Sequence, residues 1–261
     1  PAHFRLDRSG NLAVLKLKYS IGHICNQHVF CNITELGICF ALFGIGSGNG
    51  SNGSTIINIE GGTITAEGGG KENGSCQASG AGIGSGGNAL NKTTINIKGG
   101  EITATGGVSL DSRNHSDKWL SGAGIGSGSN VSGETEINIS GDSTIKSASG
   151  GKYGGAGIGS GSYSGSKPNN QKGAVTINIT DGTIEKATGG GEYVPSSKRW
   201  YSGAGIGAGL NAGTTTINIK DNAHIVSATG GKYGGAGIGS GYYGRSSTVN
   251  ISGNAELKDV R

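Results

Sequence analysis

The sequence predicts an all-β chain wound as a right-handed parallel β-helix of about six three-strand rungs behind an irregular N-terminal cap. Three observations predict it. A glycine word returns through the chain: "SGAGIGSG" from Ser79, the same from Ser121, "GGAGIGSG" from Gly154 and Gly234, "SGAGIGAG" from Ser202, and a degenerate "FGIGSG" from Phe43. A second word, I-N-I or V-N-I, follows each copy. Between its two β-type runs lies a tight pair such as Gly99-Gly100, Asp181-Gly182 or Asp221-Asn222, the residue types that tolerate positive φ.

The elements follow in order along one repeat. In "TTINIKGGEITATGG" the alternation places Ile95 and Ile97 on one face of a strand and Asn96 on the other. The pair Gly99-Gly100 then turns the chain into a second strand, and the glycine word supplies a third. In that word Ala, Ile and Ser are expected to point into the core and the glycines outward, leaving a face of bare backbone. The opposite arrangement, glycines inward so that sheets approach closely, stays open. Equivalent isoleucines, Ile45, Ile83, Ile125, Ile158, Ile206 and Ile238, are spaced by 38, 42, 33, 48 and 32 residues. Thirty-two residues suffice for three short strands and three turns, and rungs stack at about 4.8 Å. The crossover rule for parallel strands gives the right hand. The asparagines at 58, 96, 138, 178, 218 and 250 are expected to stack into a ladder of side-chain amides.

Two regions follow from this reading. Residues 1–42, with little glycine in "NLAVLKLKYSIGHICNQHVFCNI", form a cap or irregular first rung, and residues 43–261 form the glycine-rich solenoid. Cys25, Cys31 and Cys39 cluster in the first region and Cys76 stands apart; the spacing leaves their pairing undetermined. With no methionine, the chain is expected to be a processed or excised piece of something longer.

Composition removes several functions. Fifty-six glycines without a Gly-X-Y period exclude collagen. A net charge of +4 from scattered Lys and Arg argues against a nucleic-acid partner, and no run of apolar residues is long enough for membrane insertion. Gly82-Ile83-Gly84-Ser85-Gly86-Gly87 matches G-x-G-x-x-G, yet a dinucleotide site needs one such loop between a strand and a helix. No metal motif is present and no cofactor is expected.

Where rungs differ, function is expected. Two long insertions precede the glycine word, "VSLDSRNHSDKWLSG" from Val108 and "GEYVPSSKRWYSG" from Gly191, and they hold both tryptophans of the chain. They should project from one edge about 10 Å apart. The minimal turn "GGKYGG" sets Tyr153 between them, while "SYSGSKPNNQKG" from Ser162 and "YYGRSS" from Tyr242 fall on the opposite edge. The glycine strands would then floor a loop-walled groove. Trp119, Trp200, Tyr153, Tyr193, Tyr201, Lys198 and Arg199 are the candidate ligand-binding residues, since aromatic faces with directed polar groups suit sugars. A competing reading packs the two tryptophans onto their own loops. Asp111, Asp117 and Glu192 are weak candidates for a carboxylate pair, which a glycosidase would need about 5 to 10 Å apart.

"GGTITAEGGG" and "SGAGIGSG" carry a resemblance over residues 43–261. The chain resembles glycine-rich right-handed parallel β-helix repeat regions of large extracellular and surface proteins of Gram-positive, especially clostridial, bacteria. Such regions are similar to β-helix carbohydrate-binding domains and polysaccharide lyases. The resemblance implies an extracellular or cell-surface location and a glycan or host-surface ligand. Further chain segments or copies are expected at the solenoid ends. The reading is thus a non-catalytic module for carbohydrate binding or adhesion, with a structural stalk or self-assembling spacer, or a polysaccharide-active hydrolase or lyase, as alternatives.

Overall fold

The computed structural model describes residues 29–33, 38–41, 44–70, 78–111, 118–163, 172–195 and 198–261, and for 29–33, 38–41, Asp111 and Lys118 the backbone alone. All four cysteines therefore fall where no side chain is described. The described residues contain strands and turns and no helix, in a right-handed parallel β-helix.

Three parallel sheets run the length of the solenoid. The first takes one five-residue strand from each rung: Val29–Ile33, Thr55–Ile59, Thr93–Ile97, Thr135–Ile139, Val175–Ile179, Thr215–Ile219 and Ser247–Ile251. Register is letter on letter, so Ile57, Ile95, Ile137, Ile177 and Ile217 form one column. The burial pattern of Thr93–Ile97 puts Thr93, Ile95 and Ile97 inside and Asn96 half-buried outside. Each fully buried isoleucine contributes roughly 1.5–3 kcal/mol, and the columns join into one continuous core. On the outer face the asparagine amides from Asn96 to Asn250 each donate to the carbonyl of the rung before, Asn96 to Asn58 at 2.8 Å through Asn250 to Asn218 at 2.8 Å.

The corner into the second sheet comes in two forms. In the shorter one the second residue takes positive φ, as at Gly100 (93°) and Gly182 (83°). In the longer one the first residue takes it, Gly141 (62°) or Asp221 (55°), and six-residue strands follow, Thr144–Ser149 and His224–Thr229. The extra residue is absorbed as a register shift between Ile145 and Ser147.

The third sheet is built only of Ile-Gly dipeptides, from Ile45–Gly46 to Ile238–Gly239. The glycine word is not the flat strand expected from its alternation. It is a tight arch, closed by a hydrogen bond from Ala81 N to Ser85 O (3.0 Å) and repeated at Ala123, Ala156, Ala204 and Ala236. The glycine after each isoleucine has φ of 136–142°, and a Cβ at Gly84 would lie 1.7 Å from the carbonyl oxygen of Gly126. No other residue fits there. Neither orientation read from the sequence holds alone: Ile83 and Ile125 are fully buried, and the glycines Gly82, Gly84 and Gly86 are buried as well. A Cβ at Gly124 would meet Ser149 N and Gly157 O at 2.7 Å. Backbone from neighbouring segments covers what was expected to be a bare floor.

The arch serine has its own task. The hydroxyls of Ser47, Ser85, Ser127 and Ser160 accept from the glycine N–H of the next rung at 2.8–3.3 Å. Ala208 ends this column because it has no hydroxyl to offer. In the last rung Val249, Ile251 and Val260 are exposed, at positions that earlier rungs bury.

Candidate functional site

Because the arch doubles back, the chain before it and the chain after it run side by side. Tyr242 N donates to Ser202 O (2.8 Å), Leu210 N to Gly154 O (2.7 Å), and Ser162 N to Ser121 O (2.8 Å). The two turns therefore share one edge of the solenoid, which corrects the expectation that the segments from Ser162 and Tyr242 lie opposite the insertions. Among the described residues, no groove with walls on two edges and glycine between them is present.

The insertions are antiparallel β-hairpins. The first pairs Val108–Asp111 with Lys118–Ser121, and the second pairs Gly191–Val194 with Arg199–Ser202. Alternation along the second hairpin turns Val194 and Tyr201 inward, where they are buried with Tyr153 and Leu210. Tyr153 lies between the hairpins, its ring 4.6 Å from Trp119 and 5.8 Å from Tyr201. Trp119 packs against this cluster, and its indole nitrogen is buried with no hydrogen-bond partner among the described residues. Trp119, Tyr153 and Tyr201 thus pack into one aromatic cluster between the two hairpins.

Trp200 is different. It is 43% exposed, with its cross-strand neighbour Tyr193 at 4.2 Å and Tyr233 of the next rung at 4.3 Å. Interplanar angles of 36° and 52° make this a tilted stack rather than a coplanar one. Arg199 and Lys198 at the hairpin tip are exposed, and Lys232 holds its ammonium 5.6 Å from the centre of the Tyr233 ring. Tyr233 was absent from the sequence candidates. The signal was present: it occupies the same "GGKYGG" position as Tyr153 and sits one rung beyond Trp200.

Beyond the arch the chain turns through a corner with positive φ, at Asn88 (55°), Asn130 (57°) and Asn211 (51°). Asparagine tolerates this region. In the last rung Tyr243 occupies the corner at φ 53°, a conformation that costs a bulky residue on the order of 1–3 kcal/mol. Tyr243 is 74% exposed and stacks on Tyr242 at 4.3 Å. On the same column Tyr163 is buried, donates to Val131 O and accepts from Gly173 N. Burial pushes its phenol up, well beyond the usual range. Lys172 lies 5.8 Å from that ring and donates to Asn211 Oδ1 at 2.7 Å; burial, then the charge of Arg245, lowers its pKa.

Glu192 is exposed, whereas the side chains of Asp111 and Asp117 lie outside the described residues. Among the described residues no three His, Cys, Asp or Glu side chains are grouped to hold a metal ion. A shallow hollow lined by Asn222, Ala223, His224, Asn254 and Glu256 sits at the corner of the last two rungs, with His224 Nε2 3.8 Å from Glu256 Oε2.

The stacked repeats, their letter-on-letter register and the continuous isoleucine core define a repeat solenoid. The family model for the β-helix repeat matches residues 57–87, 95–129, 137–162, 177–210 and 217–242, more than half of the chain. The chain belongs to the β-helix repeat family. Comparison with curated proteins and with solved structures gave no match.

Proposed function

We propose that this chain is a non-catalytic extracellular or cell-surface β-helix module that binds carbohydrate through its second hairpin. The observation that carries the reading is Trp200, 43% exposed on an antiparallel hairpin and in ring contact with Tyr193 and Tyr233. Large exposed aromatics on a rigid element mark recognition surfaces, because the ring contacts an apolar sugar face with little loss of side-chain freedom. Lys232, whose ammonium lies 5.6 Å from the centre of the Tyr233 ring, supplies hydrogen-bond donors to hydroxyl or acidic groups.

A glycan-array screen of the chain beside Trp200→Ala and Trp119→Ala tests it. Trp200→Ala should lose about tenfold or more in affinity, the loss of one well-placed stacking contact. Trp119→Ala should keep its glycan profile and lose stability. Equal loss in both variants, or an unchanged profile in Trp200→Ala, would sink the assignment to this hairpin.

One set of observations favours the spacer reading. The asparagine ladder runs unbroken from Asn58 to Asn250 and the arches are filled by backbone, features that stiffen a solenoid whatever it carries. Absence of any glycan binding by the unaltered chain would leave that reading standing.

A further inference from the structure

Three Asn-Gly pairs occur in the chain, Asn49-Gly50, Asn52-Gly53 and Asn73-Gly74, and the last lies outside the described residues. In such a pair the asparagine side chain is open to attack by its own backbone, because the next residue has no Cβ to hinder the approach of its nitrogen to the amide carbon. Attack needs that nitrogen free of a hydrogen bond and the side-chain amide free to turn. The two described pairs differ in both respects.

Asn49-Gly50 is held. Gly50 N donates to Gly87 O at 2.8 Å, and Asn49 Oδ1 accepts from Asn88 Nδ2 at 3.1 Å. Asn52-Gly53 is open: the Asn52 side chain is exposed, and neither its amide nor Gly53 N makes a hydrogen bond with any described residue. Main-chain carbonyls hold the bend instead, Asn52 O accepting from Asn91 Nδ2 and Gly53 O from Ser51 Oγ at 3.4 Å. Those bonds leave the reacting atoms uncommitted. The ladder asparagines are protected twice, since their amides are bonded from rung to rung and a β-branched isoleucine follows each.

We propose that Asn52 is a site of spontaneous deamidation and isoaspartate formation. Gly53 N bonds to Asn52 Cγ, the bond from Cγ to the side-chain nitrogen breaks, and ammonia leaves with the proton that Gly53 N gave up. Water then opens the succinimide. Opening at the side-chain carbonyl gives aspartate, and opening at the main-chain carbonyl gives isoaspartate, in which the chain runs through Cγ. In the isoaspartate form the oxygen that accepts from Asn91 Nδ2 belongs to a free carboxylate, so a bond already in place becomes charge-assisted. The loss of ammonia is one-way, so the negative charge it adds accumulates with the age of the molecule.

Peptide mapping by tandem mass spectrometry tests this on the whole chain, aged folded at neutral pH and aged unfolded in guanidinium chloride. Isoaspartate is told from aspartate by isoaspartyl methyltransferase labelling. Unfolded, Asn49 and Asn52 should react at similar rates. Folded, Asn52 should stay within about threefold of its unfolded rate while Asn49 slows about tenfold or more. Gly53→Ala should slow Asn52 by about tenfold and leave Asn49 unchanged, and Asn91→Ala should lower the isoaspartate share of the product.

An Asn52 that stays intact in the folded chain while reacting in the unfolded one overturns the site. Equal loss at Asn49 and Asn52 in the folded chain overturns the argument from their hydrogen bonds. An isoaspartate share unchanged in Asn91→Ala overturns the part given to Asn91.

Discussion

The two hairpins end in nearly the same words, K-W-L-S-G-A-G and R-W-Y-S-G-A-G, yet their tryptophans have different surroundings. Trp119 and Trp200 occupy equivalent positions two residues before Ser121 and Ser202, and each is met by the tyrosine of the following "GGKYGG" turn, at 4.6 Å and 4.3 Å. The difference lies one rung further on. Tyr153 is buried together with Tyr201 of the second hairpin and with Leu210 beyond the following arch; among the described residues no hairpin follows Tyr233. In a solenoid a side chain's exposure is set by its neighbours along the axis, so one motif packs in one rung and is presented in another.

The largest effect should come from the residue between the hairpins. Tyr153→Ala should cost about 3–5 kcal/mol in denaturant unfolding, while Tyr233→Ala, half-buried at the same repeat position, should cost under about 1 kcal/mol. Equal costs would break the comparison. Next, acrylamide quenching of the two single-tryptophan variants should differ severalfold, with Trp200 in Trp119→Phe the more accessible. Equal quenching would mean that the first hairpin opens in solution.

The same rule extends to the asparagine ladder. Asn178 is bonded on both sides, to Asn138 and from Asn218 at 2.8 Å, whereas Asn250 has only Asn218. Asn178→Ala should therefore cost about 1–2 kcal/mol and Asn250→Ala roughly half of that. Similar losses at the two positions would argue that the amides act singly and not as a ladder.

The smallest effect is electrostatic. The hydrogen bond from Lys92 holds the Glu136 carboxyl below its usual 4.5, so the folded chain binds fewer protons there than the unfolded chain. Stability from this pair is present above pH 4.5 and is lost as pH falls through the lowered folded value. Both side chains are partly exposed, so screening keeps the contribution under about 1 kcal/mol, and Glu136→Gln should flatten that part of the acid limb. An unchanged acid profile in Glu136→Gln would assign the limb to other carboxylates.

Much of the fold was legible in the letters. Period-two alternation placed Ile95 and Ile97 inside and Asn96 outside, and repetition alone fixed a register in which identical residues stack. The glycine word was misread because alternation cannot distinguish an extended strand from an arch: Ala81-Gly82-Ile83-Gly84-Ser85 alternates in either case. For the site, the two insertions and their tryptophans stood out by length. The division between Trp119 and Trp200 was hidden, since both sit in the same local words. Tyr233 was overlooked because its partner Trp200 becomes its neighbour only when rungs stack.

By itself, then, the sequence determined the solenoid, its inward and outward columns and the rungs that depart from the pattern, because these depend on local periodicity and on identical residues finding one another in adjacent rungs. Only the tertiary structure decided that the arch folds back to bring both turns to one edge, that glycine is buried under backbone, and that Trp200 rather than Trp119 faces solvent. Those outcomes depend on contacts between segments 30 to 50 residues apart, such as Ser202 with Tyr242 and Tyr153 with Tyr201, and no local pattern encodes them.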